Sequence, residues 1–278
     1  MPDTTTSAAG TEAPRAEPAA PARRTGRRPL PAWLIYMLSF VTIFGLWHVM
    51  ATHVSPSPLF SPPLPVLHRM QSLAASGALF QDIGISLQRI MLGFIAGSAV
   101  GVLCGLLMGA SRTIRLFFEP YVNFFRFIPG IAMITVAVIW FGIGEFSKVF
   151  LILYTTVFIV IINTMVGVLS IPQNKIRAAQ CLGASRRQVF LHVSIPATMP
   201  YVLTGMRLAM ANSFATIVSA EMLAADSGIG TVIWTARLLM QVEDVYVALV
   251  VLGVLGFLTD RLFASLAARY AGKYGAVG

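Results

Sequence analysis

Long apolar runs alternate with short polar connections along most of the chain. Roughly 20 consecutive apolar residues are enough to cross the hydrocarbon core of a bilayer as a helix. The cleanest run, VFLILYTTVFIVIINTMVGVLSI, contains no charged residue. A less regular run contains Arg126 and the sequence Ile-Pro-Gly at 128–130, which predicts a bend. The pattern predicts membrane-spanning helices over residues 33–51, 87–109, 123–143, 149–171, 199–221 and 245–262.

Two of the connections have apolar residues at helical spacing but are too short to span. They are LPVLHRMQSLAASG, residues 64–77, and GIGTVIWTARLLMQ, residues 228–241. Both are typical of helices that lie in the membrane interface or pack across the mouth of a bundle.

The composition agrees with an all-α integral membrane protein. Of the 278 residues, 56% are hydrophobic and only 11% are charged, against roughly 25% charged in soluble domains. Residues 1–31 are rich in Ala, Pro, Thr and Arg and are predicted to be a disordered tail. A cleavable signal peptide would have an apolar region of only about 7–15 residues, so a retained helix is favoured for the run that follows. We therefore expect a membrane domain over 32–272 and a short C-terminal tail at 273–278.

The positive charge is unevenly distributed between the two sides of the predicted bundle. The net charge is +9, and 14 of the 20 Lys and Arg residues lie in the N-terminal tail, in alternate connections and in the C-terminal end. Cytoplasmic loops carry such an excess, so both termini are predicted to be cytoplasmic. Because the basic residues lie between apolar spans, the bilayer rather than a nucleic acid is the expected partner.

One connection, residues 172–196, is basic and rich in Ala and Gly, and is called the basic segment below. Ser170 and Gln173 have the spacing of a capping box and predict the start of a helix. Gly183 supplies the left-handed residue that ends a helix. Ser185 and Gln188 predict a second capping box and a second helix, which Pro196 separates from the next span. This helix–turn–helix is either a surface that docks on a partner or a loop that contacts anionic lipid.

The basic segment resembles the signature of ABC importer permeases. That signature is Glu-Ala-Ala, three residues, Gly, nine residues, and Ile-x-Leu-Pro. Here Ala178 and Ala179 are followed after three residues by Gly183, and the segment ends with Ile195 and Pro196 at the required distance. Arg177 stands where the family has Glu. The stretches SLQRIMLGF, WFGIGEFSKVF, NTMVGV and AEMLAADSGIG are similar to the nitrate/sulfonate/taurine branch, and the resemblance covers about residues 60 to 265.

The resemblance implies a six-helix permease of the type I importer kind in a bacterial inner membrane. Such a chain forms a homodimer, docks two ATPase subunits and receives solute from a periplasmic or lipid-anchored binding protein. It binds no cofactor itself, since ATP-Mg is held by the ATPases. The basic segment then corresponds to the coupling helix, with the contact residues Arg177, Ala178, Ala179, Leu182, Gly183, Ala184, Ser185, Gln188 and Pro196.

Several polar or small residues within the spans are candidates for the translocation pathway. Charged side chains in a membrane usually face the bundle interior or a partner. Gly130 and Thr135 stand where the resembling branch usually has Pro. The candidates are Arg126, Gly130, Thr135, Asn163, Arg207, Asn212 and Glu221.

Each of these candidates has a simpler structural explanation. Arg126 would reach the interface, Arg207 would pair with a carbonyl group or with Glu221, and Glu221 would cap a helix or form an ion pair. Asn163 and Asn212 would form hydrogen bonds between helices. Glu145 and Lys148 would be a surface ion pair.

The alternatives to an importer permease have less support in the sequence. A transporter driven by an ion gradient would need acidic groups inside the membrane, and the predicted spans hold only Glu221 and Asp260, both near their ends. A membrane enzyme is disfavoured because the phosphate-binding, zinc-protease and serine-hydrolase motifs are missing from the sequence and its four His residues are scattered. The resemblance and the intramembrane Arg residues favour a small oxyanion, sulfonate-like or nitrate-like, as the solute.

Overall fold

The computed structural model describes residues 31–54, 57 and 59–274, in which every regular element is helical. The predicted tails fall mostly outside these residues. The chain divides into two compact units after Gly45. The helices are α1 Ala32–Val49, α2 Pro63–Ala75, α3 Ala78–Ala110, α4 Arg112–Phe125, α5 Gly130–Phe141, α6 Glu145–Leu169, α7 Gln173–Cys181, α8 Arg186–Val189, α9 Ile195–Ala224, α10 Ile229–Leu238 and α11 Val242–Tyr274, with π turns at Met50–Val54 and Phe190–Ser194.

A stripe of glycines brings α3 against α6 in the largest helix–helix contact of the bundle. A β-carbon added at any of these glycines would lie 2.5–2.9 Å from the β-carbon of the facing α6 residue, closer than real side chains approach. Small residues at such a spacing let two membrane helices pack backbone to backbone. The five facing pairs are Gly93 with Ile152, Gly97 with Thr156, Gly101 with Val160, Gly105 with Thr164 and Gly109 with Val168.

The order of these pairs shows that α3 and α6 run in the same direction. The chain leaves α3 at one end of the pair and enters α6 at the other, so residues 111–144 must cross the bundle. In the part of the chain that the structure describes, five helices are each long and apolar enough to span, and the bent pair α4 and α5 gives a sixth crossing when it is taken as one broken span. Six crossings agree with the predicted number, although several helices extend beyond the predicted limits.

The crossing predicted as one helix over 123–143 is two helices that meet at 96°. Pro129 precedes α5 and cannot donate a backbone hydrogen bond, so the helix cannot continue through it. The hydroxyl of Tyr154 donates to the carbonyl oxygen of Phe125, at 2.7 Å, and so satisfies one acceptor at the end of α4. The helix predicted over 123–143 is therefore not bent but interrupted, between Phe125 and Gly130.

The two short connecting helices are confirmed as α2 and α10, and both lie at the end of the bundle opposite the basic segment, called the far end below. Val66 of α2 and Ile229 of α10 share an apolar cluster with Val247 of α11. Arg69 donates to Asp244 at 2.8 Å, and this hydrogen bond raises the pKa of Arg69 above its ordinary value. Helices α2, α10 and α11 thus pack against one another at the far end.

We predict that Gly101→Val destabilises the bundle. The new side chain would meet the Val157 carbonyl oxygen, which is backbone and cannot rotate away, at about the 3.0 Å reached by the β-carbon. Overpacking of this kind costs about 1–3 kcal/mol. The midpoint of thermal unfolding in detergent should fall. Gly253→Val is the matched control, because a β-carbon at Gly253 in α11 meets nothing within 4 Å. Equal midpoints for the two variants would contradict the close α3–α6 contact.

Candidate functional site

The basic segment contains a sharp glycine turn between two helices, as the sequence predicts. Gly183 has φ +84°, and its N–H donates to the Gln180 carbonyl oxygen at 2.9 Å. The next N–H, of Ala184, reaches back to the Ala179 carbonyl oxygen at 3.1 Å. This pair of bonds is the Schellman motif that ends helices at a left-handed residue. The prediction at Gly183 is confirmed.

The second predicted capping box is confirmed in both of its hydrogen bonds. The Ser185 hydroxyl accepts from the N–H of Gln188, and the Gln188 side chain accepts from the N–H of Ser185 at 2.8 Å. These two bonds fix the start of α8 relative to the glycine turn. The two helices of the basic segment therefore have a defined relative orientation.

Two other predictions for the basic segment are wrong. Ser170 caps no helix start: α6 extends to Leu169, and the Ser170 hydroxyl donates back to the Gly167 carbonyl oxygen at 2.9 Å. Pro196 does not separate α8 from the next span, because it lies in the first turn of α9. A π turn at Phe190–Ser194 precedes it and joins the two helices, so the missing proline N–H is accommodated without a break.

The basic segment is exposed or half-buried from residue 172 to residue 188, and only Val189 and Ser194 beyond that part are buried. No residue of α7 is buried, and the side chain of Leu182 at the turn is 89% exposed. Arg177 and Ala178 are exposed, and Ala179 and Ala184 are half-buried. A rigid projection with small residues beside a bare apolar side chain has the shape to enter a groove on another protein.

A second candidate site is an open cavity of about 350 Å³ at the break between α4 and α5. It brings together three of the seven predicted pathway residues, namely Arg126, Gly130 and Asn212. Gly130 is required there, since a β-carbon would lie 2.6 Å from the Thr155 methyl group. The Asn212 amide donates to the Thr216 hydroxyl at 3.4 Å, and Thr216 lies within 3.4 Å of the Thr155 hydroxyl.

Sequence reasoning missed Thr155 and Thr216. Their signal is weak, because a threonine in a membrane helix commonly bonds to its own backbone, as both do here. Only the fold brings α6 and α9 together at this cavity. The cavity lining includes one cation, Arg126, together with the hydroxyl group of Thr155 and the amide group of Asn212, which suits a small polar solute.

The remaining pathway candidates lie elsewhere. Thr135 is exposed on α5, and the Asn163 amide donates to the Ile159 carbonyl oxygen at 2.8 Å within α6. Arg207 pairs with Asp260 of α11 at 2.7 Å, with both side chains about half exposed. The expected pairing of Arg207 with Glu221 is therefore wrong.

Glu221 belongs to an ion cluster centred on Arg89, which falls inside the span predicted over 87–109 but was not among the candidate residues. Arg89 lies within α3, and its side chain is only 3% exposed. Its five N–H groups all have acceptors. Two go to the Glu145 carboxylate at 2.6 Å, one goes to Glu221 at 2.8 Å, and two go to the carbonyl and hydroxyl oxygens of Ser227. This saturated guanidinium ties α3, α6, α9 and the turn before α10 together at the far end.

The Glu221 carboxylate also organises the start of α10. It accepts from the Ser86 hydroxyl and from the N–H of Gly230, both within 2.9 Å. The Ser86 hydroxyl in turn accepts from the N–H of Ile229. Glu221 thus has the ion-pair and capping roles that the sequence offered as its simpler explanation. Lys148, expected on the surface beside Glu145, is 4% exposed and joins the same cluster at 3.3 Å.

We predict that Arg89→Met lowers the free energy of unfolding by about 3–5 kcal/mol, because the Glu221 carboxylate would be left buried without its cation. Adding Glu221→Gln removes that charge, so the double variant should be more stable than Arg89→Met alone. Thermal unfolding in detergent measures both. Arg207→Met is the comparison, and its loss should be smaller since that pair is half exposed. A double variant less stable than Arg89→Met would contradict the cluster.

Comparisons with known proteins agree with these features. Residues 79–272 match the family described as binding-protein-dependent transport system inner membrane component. The taurine transport system permease protein of Escherichia coli is 35% identical over 86% of this chain and 89% of its own length. The nitrate import permease protein of Leptolyngbya laminosa is 31% identical, covering 88% of this chain and 89% of its own.

Solved structures share the fold at lower sequence identity. A chain of the inward-facing MetNI methionine ABC transporter superposes with a TM-score of 0.61 at 18% identity, covering 76% of this chain and 98% of that one. A chain of a bacterial alginate ABC transporter gives 0.58 at 16% identity, covering 88% and 96%. The expected resemblance is confirmed: the chain belongs to the family of binding-protein-dependent transport system inner membrane components, the permeases of ABC importers, and is similar to the taurine, sulfonate and nitrate permeases among them.

Proposed function

We propose that the basic segment of this importer permease is the coupling helix, which docks on an ATPase subunit and transmits its movement to the pathway. The observation that supports this most is the fixed, exposed projection around Gly183, with Leu182 bare at its turn. ATP-Mg binds to the ATPase, and this chain binds no cofactor. Each complex contains two copies of this chain and two ATPases, and receives solute from a binding protein.

The cavity at the α4–α5 break is proposed as this chain's part of the translocation pathway. The cavity is open on one side, and in the homodimer a second copy would close it. Exposed apolar side chains lie at the cavity and next to it, namely Phe127 in the break between α4 and α5, which is 73% exposed, and Ile131 of α5, which is 59% exposed. Such a surface suits contact with an identical neighbour across a two-fold axis.

The proposed solute is a small organic or inorganic oxyanion. Arg126 at the cavity rim is a cation, and α5 begins at the cavity, where the N-terminus of a helix favours negative charge. The Asn212 amide can donate to an oxyanion as well. The names of the taurine and nitrate relatives agree with this chemistry. In α5, Gly130 and Thr135 stand where the resembling branch usually has Pro. The solute can therefore be an oxyanion different from those that the named relatives transport.

The basic segment is proposed to face the cytoplasm, with both termini on the same side. An even number of crossings, six when α4 and α5 count as one, supports two ends on one side of the membrane, and the excess of Lys and Arg supports the cytoplasm as that side. The far end, with α2, α10 and the Arg89 cluster, then faces outward, where the binding protein delivers solute.

This orientation predicts the labelling of two cysteines in intact cells. Cys181 in α7 is exposed and serves as a native reporter, and Asp226 on the turn before α10 is exposed and can be replaced. In an Asp226→Cys, Cys104→Ala variant, a membrane-impermeant maleimide should label position 226 and leave Cys181 unlabelled. Permeabilised cells, in which both should react, are the control. If the reagent labels only Cys181 from outside, the topology is the opposite of the one proposed.

The coupling role predicts opposite outcomes for two substitutions at Gly183. A β-carbon there meets nothing within 4 Å, so only the left-handed backbone at φ +84° restricts the residue. Asn tolerates this conformation, whereas a β-branched residue is disfavoured by about 1–2 kcal/mol or more. We expect Gly183→Val to insert normally but to bind the ATPase weakly and to lose ATP hydrolysis stimulated by loaded binding protein. Gly183→Asn should keep both.

Proteoliposomes reconstituted with this permease, the ATPase and the binding protein test the whole proposal. Wild-type complex should contain two permease and two ATPase copies by mass measurement, and solute uptake should require ATP inside. Uptake that continues without the ATPase subunit, driven by a proton or sodium gradient, would replace the importer with the alternative, a secondary transporter. If Gly183→Val keeps normal ATPase binding and stimulated ATP hydrolysis, the basic segment only connects two helices and is not the coupling helix.

A further inference from the structure

The basic segment carries positive charge only. Lys175 and Arg177 lie on α7, Arg186 and Arg187 lie on α8, and all four are exposed. The sequence has no acidic residue between Glu145 and Glu221, so the segment has no carboxylate of its own to neutralise them. Among the described residues, every ion pair involves other side chains. Four unpaired cations therefore project from this end of the bundle.

The apolar side chain at the turn distinguishes between two kinds of acidic surface. Leu182 is 89% exposed and lies between the two pairs of cations along the chain. A lipid headgroup layer would attract the cations but gives no specific place for a leucine held on a rigid turn. A protein groove with an apolar floor and carboxylates at its rim fits both features. The shape of the turn, fixed by the Schellman motif and the capping box, favours the groove.

We propose that the ATPase that serves this permease receives the basic segment in an acid-rimmed cleft, with carboxylates opposite Arg177 and its neighbouring cations. This rests on the proposed coupling function. Arg177 occupies the position where the resembling family has Glu, so an ATPase adapted to that Glu would meet a charge of the wrong sign. The reversal selects one ATPase and rejects others, because like charges brought together at an interface oppose binding.

The test measures ATPase binding to the full-length permease in nanodiscs of neutral lipid. The probe is the purified ATPase subunit that forms the active complex with wild-type chain. Arg177→Gln should weaken binding about tenfold and Arg177→Glu about a hundredfold, with a smaller salt dependence in both. Since α7 buries no side chain, both variants should fold. Arg112→Glu, an exposed cation at the start of α4, is the control and should bind within about twofold of wild type.

A charge swap makes the test specific for the cleft. Changing a cleft carboxylate of the ATPase to Lys should weaken binding of wild-type permease and restore binding of Arg177→Glu. If Arg177→Glu binds the ATPase as well as wild type, the acid-rimmed cleft is wrong while the coupling function survives. If charge reversal changes only the binding of anionic phosphatidylglycerol vesicles, the cations serve lipid and the inference is also wrong. If wild-type permease binds no ATPase, the proposed function itself fails.

Discussion

The close, parallel contact of α3 with α6 is the constraint from which the rest of the bundle follows. Glycines at every fourth position of α3 face a stripe of larger residues at every fourth position of α6, with no space for another atom. Two neighbouring helices that run the same way require a return crossing between them, and residues 111–144 provide it as α4 and α5. The break in that crossing opens the cavity in which Arg126, Gly130 and Asn212 meet. A packing requirement on α3 thus leads to the candidate pathway.

The sequence predicted the features that depend on local chemistry. The apolar runs, the left-handed Gly183 and the capping box at Ser185 each involve residues within a few positions of one another, and each is present. The same local rule failed at Ser170 because α6 extends to Leu169 and uses that serine at its own end. A cap-like pair of residues does not reveal which of two neighbouring helices will take it.

The features that sequence reasoning missed depend on contacts across the bundle. Arg89 is a lone cation among apolar residues, and its acceptors come from positions 56, 132 and 138 residues away. The Arg207 partner lies 53 residues away in α11. The recurrence of glycine at every fourth position of α3 is visible in the sequence, but the helix that these glycines contact is not. Charge pairing in a membrane bundle needs the helix order and direction before it can be assigned.

The cavity and the basic segment are connected through the same two helices. α6 ends at Leu169, three residues before the basic segment begins at Pro172, and α8 continues through the π turn into α9. Thr155 of α6 and Asn212 of α9 both line or border the cavity. At the far end, Arg89 holds Glu145 of α6 and Glu221 of α9 to α3 with a saturated set of hydrogen bonds. A force applied to the basic segment therefore acts on two helices fixed at their opposite ends, and the cavity lies between the fixed end and the applied force.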